Sequence, residues 1–263
     1  MSKKRQSALF DPLPRGRALI LTLSRDYPPG HNIPLHFHHR DQLVFASRGV
    51  MTVTANDGAW VVPVHRAVWI PARTAHTIAM SGTVAMRTLY LRPGLASSLS
   101  RECRVVQVSV LLKELILEAC RRGSLDRRVA WQSHLVDVLL DQLRTIKAAP
   151  LQISLPDDPR ALRVAQVLLA DPSDPRPLQQ IARTSGASRR TIERLFVEAT
   201  GTTFGKWRQQ LRLMQALRLL GGGAKVTHAA LEAGYSTPSA FIAAFRKTLG
   251  TTPTRYFRIS GGG

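Results

Sequence analysis

Ser188-Arg189-Arg190-Thr191-Ile192-Glu193-Arg194-Leu195-Phe196 is answered forty-nine positions later by Thr237-Pro238-Ser239-Ala240-Phe241-Ile242-Ala243-Ala244-Phe245. The correspondence continues outward, with Gly201 recurring as Gly250, Thr202-Thr203 as Thr251-Thr252 and Trp207 as Tyr256. A repeat at fixed offset means one supersecondary unit used twice. In the first copy Leu178 to Arg183 reads as a short helix, Gly186 as a turn, Ser188 as the N-cap of a helix through Ala199, and Gly201 as its stop. In the second, Val226 to Leu231 leads to Gly234-Tyr235, Thr237 caps, Pro238 takes a first-turn position and Gly250 closes. Two short helices joined by a glycine turn make a helix-turn-helix, here expected at about 178–200 and 226–249.

The second helix of the first unit carries Ile192, Leu195, Phe196 and Ala199 as one apolar stripe, which leaves Arg190, Glu193, Arg194 and Val197 on the other face. Such a face suits the major groove, because arginine can bind guanine through two hydrogen bonds and glutamate can accept from cytosine. A lone charged helix face is more often simply solvated, but its duplication argues for a surface with a purpose.

Working outward, Leu211-Arg212-Leu213-Met214-Gln215-Ala216-Leu217, Gly234-Tyr235-Ser236-Thr237-Pro238-Ser239-Ala240-Phe241 and Phe245-Arg246-Lys247-Thr248-Leu249-Gly250-Thr251-Thr252-Pro253 complete the pattern. Over about a hundred residues it resembles the AraC/XylS family of bacterial transcription regulators. The resemblance implies two helix-turn-helix units on a linking helix, here Phe204 to Leu220, that enter successive faces of double-stranded DNA. It makes Arg190, Glu193, Arg194, Ser239 and Ile242 the base-reading positions, and Arg189, Lys206, Arg208, Arg246 and Lys247 phosphate contacts. This chain departs from the family at Ser239, Ile242 and Ala243, which stand where the first unit has Arg190, Glu193 and Arg194. Base readout is therefore expected mainly from the first unit, with phosphate contact and shape fit from the second.

Composition agrees with a polyanionic partner. The 263 residues carry a net charge of +20, and residues 176–258 hold fourteen Lys/Arg against three Asp/Glu. Nucleic acid and an anionic membrane surface are the two candidates such charge allows. With 44% hydrophobic and 21% charged residues the chain is globular and long enough for two domains. The basic start Met1 to Gln6 is followed by no apolar signal region, and no apolar run reaches membrane-spanning length, so a cytoplasmic protein without membrane partners is expected. Cys103 and Cys120 have no metal or redox spacing and read as reduced packing residues, with a thiol sensor as the alternative.

Ahead of the repeat, residues 1–16 read as a flexible arm. From Arg17 to Tyr90 short β-type runs alternate with turns, Asn56-Asp57-Gly58 fitting a hairpin, which suggests a small barrel or jelly roll. Within it Gly30, His36, His38, Gln42 and Gly49, then Pro71 and His76, resemble the two motifs of a cupin, with Gln42 where metal-binding cupins usually have glutamate. Residues 36, 38 and 42 share parity, so an extended chain aims them to one face, and His76 can join from another strand. Three readings stand open for this cluster: a divalent transition metal on His36, His38 and His76, weakened by the missing carboxylate; a metal-free pocket for a small-molecule effector; or histidines that satisfy backbone groups at the barrel mouth. His65 and Trp69 are further candidates for the mouth, Trp69 fitting the core as well.

From Cys103 the period lengthens to that of a helix. Val105, Val108, Leu111, Leu112, Leu115, Ile116 and Ala119 form one stripe, and Ala130 to Ile146 a second helix with Leu135, Val138, Leu139 and Leu143 inward. This pair either covers the barrel or builds a homodimer interface. Residues 148–158 read as a proline-stiffened linker, with Asp158-Pro159 capping the first helix of a DNA-binding domain over 159–259, and 260–263 as a disordered tail.

The expected fold is therefore α+β in two domains, a cupin-like barrel with a helix pair over 17–147 and an all-α double helix-turn-helix. The expected function is a sequence-specific transcription regulator, not an enzyme, that answers to a small-molecule or metal effector and meets RNA polymerase at promoters. The alternatives are a cupin metalloenzyme, a dioxygenase or isomerase with an appended DNA-binding domain, and a general polyanion or nucleoid binder. The enzyme lacks an evident acid or base partner beside the histidines, and the nucleoid binder would lose its hold steeply with salt.

Overall fold

The computed structural model describes residues 18–55, 58–96, 99–149 and 152–258. The expected arm, Asn56-Asp57 of the expected hairpin, and the tail lie outside the described residues. The chain divides into two compact units, one carrying the β-sheet with two helices and the other the remaining helices.

In the first unit the strands are β1 (Ile20–Tyr27), β2 (Asn32–His36), β3 (Asp41–Ala55), β4 (Gly58–Val62), β5 (Arg66–Ile70), β6 (His76–Leu91), β7 (Arg104–Gln107) and the short β8 (Ser124–Leu125). The main path runs β7-β5-β3-β6-β1-β8, with β2 added to β6 and β4 to β3. Two runs expected as separate strands, Gln42 to Ala46 and Gly49 to Thr54, are one strand, β3, which pairs with β6 along its whole length. The register shifts between Ala46 and Val50. Gly49 sits in this irregularity at φ +82°, where a Cβ would stand 2.3 Å from the Thr83 carbonyl oxygen and 2.9 Å from Val84 Cγ2. Only glycine fits so close an approach, and the irregularity bends the paired long strands locally.

Alternation along the strands sorts the core. Leu43, Phe45, Leu89 and Leu91, with Ile20 and Trp69, pack against α1 (Val110–Arg122) and α2 (Ala130–Arg144) through Leu112, Ile116, Ala119, Val136, Leu139, Leu140 and Leu143. Full burial of each such aliphatic side chain stabilises by about 1.5–3 kcal/mol. The opposite sheet face carries Gln42, Val44, Thr88 and Tyr90, also buried.

The helix expectation needs correction at its start. Residues 104–107 form β7, paired with β5 from Arg66↔Gln107 to Trp69↔Arg104, and α1 begins only after Ser109, whose hydroxyl accepts from Leu112 N at 3.0 Å. Val105 and Val106 are β-branched and serve the sheet. Leu111 and Val138, expected inside, are 52% and 42% exposed, while Val136 and Leu140 face the core instead.

In the second unit, after the short strand β9 (Gln152–Ile153), come α3 (Pro159–Ala170), α4 (Leu178–Thr184), α5 (Arg189–Thr200), α6 (Phe204–Gly221), α7 (Val226–Glu232), α8 (Pro238–Leu249) and α9 (Pro253–Arg258). The expected caps are in place: Asp158, Ser188 and Thr237 accept from Arg160 N, Thr191 N and Ala240 N, and Gly201 and Gly250 end their helices in the left-handed region. Each cap satisfies an orphan helix donor or acceptor. On α6, Phe204, Trp207, Leu211 and Met214 are buried as the stripe predicts, and so are Leu213, Ala216 and Leu217. The helix buries more than one face because α5 packs on it from one unit and α7 and α8 from the other. The repeat extends to ring contacts: Phe196 meets Trp207 edge-on at 5.1 Å, and Phe245 meets Tyr256 in the same way at 5.5 Å. Among the described residues no helix is long and apolar enough to cross a membrane.

Candidate functional site

Helix α5 buries Ile192 and Phe196, and Ala199 from the expected stripe is exposed. Its outer face carries Arg189, Arg190, Arg194 and Val197, the last 47% exposed. Arg189 Nε donates to Glu193 at 2.9 Å, and Arg194 donates to Glu198 at 2.8 Å, both one turn along the helix. Such exposed pairs are worth about 0.3–0.5 kcal/mol, little enough for a base edge or phosphate to displace the carboxylate. Among the described residues Arg190 is the outer-face arginine of α5 without an intrahelical carboxylate partner.

The corresponding face of α8 is small and apolar at its centre and basic at its end. Ser239, Ile242, Ala243, Arg246 and Lys247, together with Thr252, line an open groove of about 570 Å³. Ile242 is 36% exposed, a size and chemistry suited to a thymine methyl group. Lys206 is exposed at the start of α6.

Arg208 departs from its expected role as a phosphate contact. Its guanidinium turns inward and donates to the carbonyl oxygens of Arg176, at 2.8 Å, and Asp174. Arg212, not singled out in the sequence, donates to the Pro172 and Asp174 carbonyls at 3.2 Å each. The loop before α4 is further closed by Asp174, 4% exposed, whose carboxylate accepts from Arg176 Nε and Nη2; that hydrogen bonding holds its pKa below the usual carboxylate value. Nothing in the linear pattern marks these arginines, because their acceptors are backbone carbonyls thirty or more positions away.

In the first unit the structure brings His36, His38 and His76 together. One ring nitrogen from each lies within 4.8 Å of the others. The parity argument reaches this grouping by a route the chain does not take: β2 ends at His36, His38 follows it in the bend before β3, and His76 opens β6 as the register partner of His36. His36 Nδ1 lies 2.7 Å from the Pro34 carbonyl oxygen and His76 Nδ1 2.9 Å from that of Thr74. Both Nδ1 atoms are donors in this arrangement, which leaves the Nε2 lone pairs for the cluster. Burial, assisted by the His36 and His38 rings and opposed by the Thr74 hydrogen bond, pushes His76 down to about 3, so its ring is neutral, the form that binds metal. His76 Nε2 is buried and has no hydrogen-bond partner in the protein, an orphan acceptor that a cation would satisfy.

Gln42 is buried on β3 opposite Tyr90 of β6, and the Tyr90 ring stands 4.8 Å from that of His38. Tyr90 and Thr88 were not legible as site residues, since only the β3–β6 register puts them beside Gln42. Trp69 belongs to the helix-side core, with Nε1 donating to Ser100 O at 2.9 Å, and His65 sits at the turn before β5, where its carbonyl accepts from Val108 N. Cys120 is pushed up to about 11, burial dominating, so the thiol stays protonated as a packing residue.

Comparison with known proteins follows this division of the chain. Residues 19–144 match the AraC-like ligand binding domain and residues 181–259 the helix-turn-helix domain. The HTH-type transcriptional regulator NimR of Escherichia coli is 33% identical over 223 residues, 85% of this chain and 81% of NimR. RipA of Corynebacterium diphtheriae, also an HTH-type transcriptional regulator, is 36% identical over 80 residues, 30% of this chain and 24% of RipA. Among solved structures, the DNA-binding domain of AdpA in complex with a target DNA is 31% identical over 39% of this chain and 93% of its own, with a TM-score of 0.37. ToxT of Vibrio cholerae aligns over 93% of this chain and 99% of its own at 11% identity and a TM-score of 0.41. Both matched domains lie in order on one chain and NimR is similar across most of it, so the protein belongs to the AraC family of transcriptional regulators.

Proposed function

We propose that this regulator reads its DNA site chiefly through Arg190, Glu193 and Arg194 of α5, with Ser239 and Ile242 of α8 reading a second, thymine-tolerant element. Arg189, Lys206, Arg246 and Lys247 anchor phosphates, and Arg208, spent on backbone carbonyls, supports the loop before α4 instead. The observation that carries this reading is the repeated build of α5 and α8: each is capped by a hydroxyl and ended by a left-handed glycine, each buries one apolar stripe, Ile192 and Phe196 or Phe241 and Phe245, and each leaves its other face in solvent. The eighteen residues of α6 span about 27 Å, of the order of one turn of duplex, so two units held by it can address successive major-groove segments. The protein acts in the cytoplasm, as a homodimer through the outer faces of α1 and α2, and meets RNA polymerase at its promoter. A mobility-shift titration against DNA upstream of its own and neighbouring genes, at two salt concentrations, tests it. A discrete complex that survives the higher salt is expected; indiscriminate binding that vanishes with salt sinks the base-reading assignment.

The effector domain is a cupin-like barrel whose cluster of His36, His38 and His76, with Gln42 beside it, holds a divalent transition metal. The support is the donor set itself: Nδ1 of His36 and His76 held by backbone carbonyls, one ring nitrogen of each histidine within 4.8 Å of the others, and the orphaned buried Nε2 of His76. Imidazole donors suit zinc, nickel, copper or iron. Nitrogens about 2.1 Å from one tetrahedral ion are about 3.4 Å apart, so the ring nitrogens, within 4.8 Å of one another here, draw together on loading. Elemental analysis after dialysis against zinc or nickel should show one metal per chain, lost in His76→Ala; wild-type protein that returns metal-free would exclude the centre.

A further inference from the structure

A dication held by His36, His38 and His76 receives three neutral nitrogens, and Gln42, the register partner of the Tyr90 whose ring stands 4.8 Å from that of His38, offers only a neutral oxygen. His38, His76 and Gln42 are 2%, 0% and 1% exposed and His36 is half-buried, so the charge would be largely withdrawn from water. Uncompensated buried charge is strongly unfavourable. Among the described residues no carboxylate joins the cluster. Asp41, adjacent in sequence, points to the other face of β3 and accepts from Ala72 N at 2.9 Å.

The buried sheet face that continues from the cluster is polar where a barrel interior is ordinarily apolar. Gln42 is opposite Tyr90, and Thr88 lies one step further along the same face, opposite Val44. Gln42 Oε1 and Thr88 Oγ1 are buried and have no hydrogen-bond partner within the protein. A buried hydroxyl and amide left unmatched by the fold point to a ligand that supplies the match. The Gln42 amide can present either its oxygen or, turned over, its N–H groups.

Resting on the metal reading above, we propose that the effector of this barrel is a small carboxylate anion that binds as co-ligand of the metal. One carboxylate oxygen completes the coordination of the ion held by His36, His38 and His76, and the Gln42 amide and Thr88 hydroxyl bind polar atoms of the same molecule. Gln42 is then functional through what it lacks. A glutamate there would neutralise and hold the metal whether or not effector was present, whereas the amide leaves that charge to be supplied from outside. Metal and anion occupancy are thereby coupled, and the coupling is reciprocal.

The test uses full-length protein stripped with chelator and titrated with cobalt(II), followed by visible absorption and calorimetry. Acetate and benzoate serve as probes, and acetamide and benzamide as their neutral counterparts. Either carboxylate should tighten cobalt binding by about tenfold or more, within the usual range of coupling between sites, and change the cobalt spectrum, while the amides do neither. Gln42→Glu should bind cobalt more tightly than wild type without any added anion and lose the response to carboxylate. Cobalt binding that ignores carboxylates, or is helped equally by the amides, overturns the anionic effector and leaves the metal centre standing. So does a folded Gln42→Glu protein that keeps the full carboxylate response. Wild-type protein that binds no cobalt under any of these conditions removes both.

Discussion

Arg190 and Arg246 are exposed arginines on equivalent helices, and the proposed function gives them different work. Arg190 projects from the outer face of α5, while Arg246 lies at the end of α8 beside Lys247. Arg190→Ala should cost about 1–3 kcal/mol on the best DNA site and relax the preference at one base position. Arg246→Ala should weaken all sequences alike and lower the salt slope by about 1; anisotropy titrations on single-base variants across a salt series separate the two. Asp174 supplies a pH-dependent contribution. Its pKa is held below the usual carboxylate value, first by the Arg176 side chain, so the stability it adds is present above the usual carboxylate range and is lost as pH falls through the lower folded value. Asp174→Asn should therefore lower the melting temperature at pH 7 and approach wild type as pH falls below the usual carboxylate range. A difference that stayed constant over that range would assign Asp174 a packing role only. These residues differ in legibility: Arg190 announces itself through helical spacing, but Asp174, Arg208 and Arg212 act on neighbours that no spacing rule connects.

Elements were legible where their signal is local. Ser188, Thr237 and Asp158 cap helices because a short oxygen side chain meets the free donors of the first turn, a relation contained within three residues. Residues 104–107 were misread for the complementary reason. An apolar run that flows into an amphipathic helix has no period of its own, and the partner that makes it a strand, β5, lies some forty positions earlier. The two turn glycines of the second unit make a sharper distinction. Gly186 has φ +73° and open space around its missing side chain, whereas Gly234 at φ +83° would place a Cβ 2.8 Å from Ser173 Cα and 2.9 Å from Arg212 Nε. Gly186→Ala carries only the left-handed backbone penalty, about 1–2 kcal/mol. Gly234→Ala adds overpacking of about 1–3 kcal/mol and pushes the turn of the second unit off the loop that Arg212 clamps. Thermal melts should rank Gly234→Ala well below Gly186→Ala, and DNA carrying both half-sites should lose more affinity for Gly234→Ala; equal effects would show that the close approach does not fix the second unit.

At the scale of the molecule, α1 and α2 resolve in part the choice between covering the barrel and pairing with a second copy. One face of the pair packs into the sheet core, and Val110, Leu111, Trp131 and Val138 remain 76%, 52%, 44% and 42% exposed. Leu111→Asp with Val138→Asp should leave the fold intact and shift sedimentation from dimer to monomer; an unchanged species distribution would remove the helices from the interface. The sequence by itself determined the architecture in two domains, the double helix-turn-helix and the identity of the three histidines, because repeats, caps and apolar periods are properties of residues close in the chain. Only the tertiary structure decided that His38 reaches the cluster from a bend, that Thr88 and Tyr90 continue the polar face from Gln42, and that Arg208 serves the protein's own backbone. Each of these depends on strand register or on contacts across long chain separations, where the packing of the whole unit, and not local preference, selects the partner.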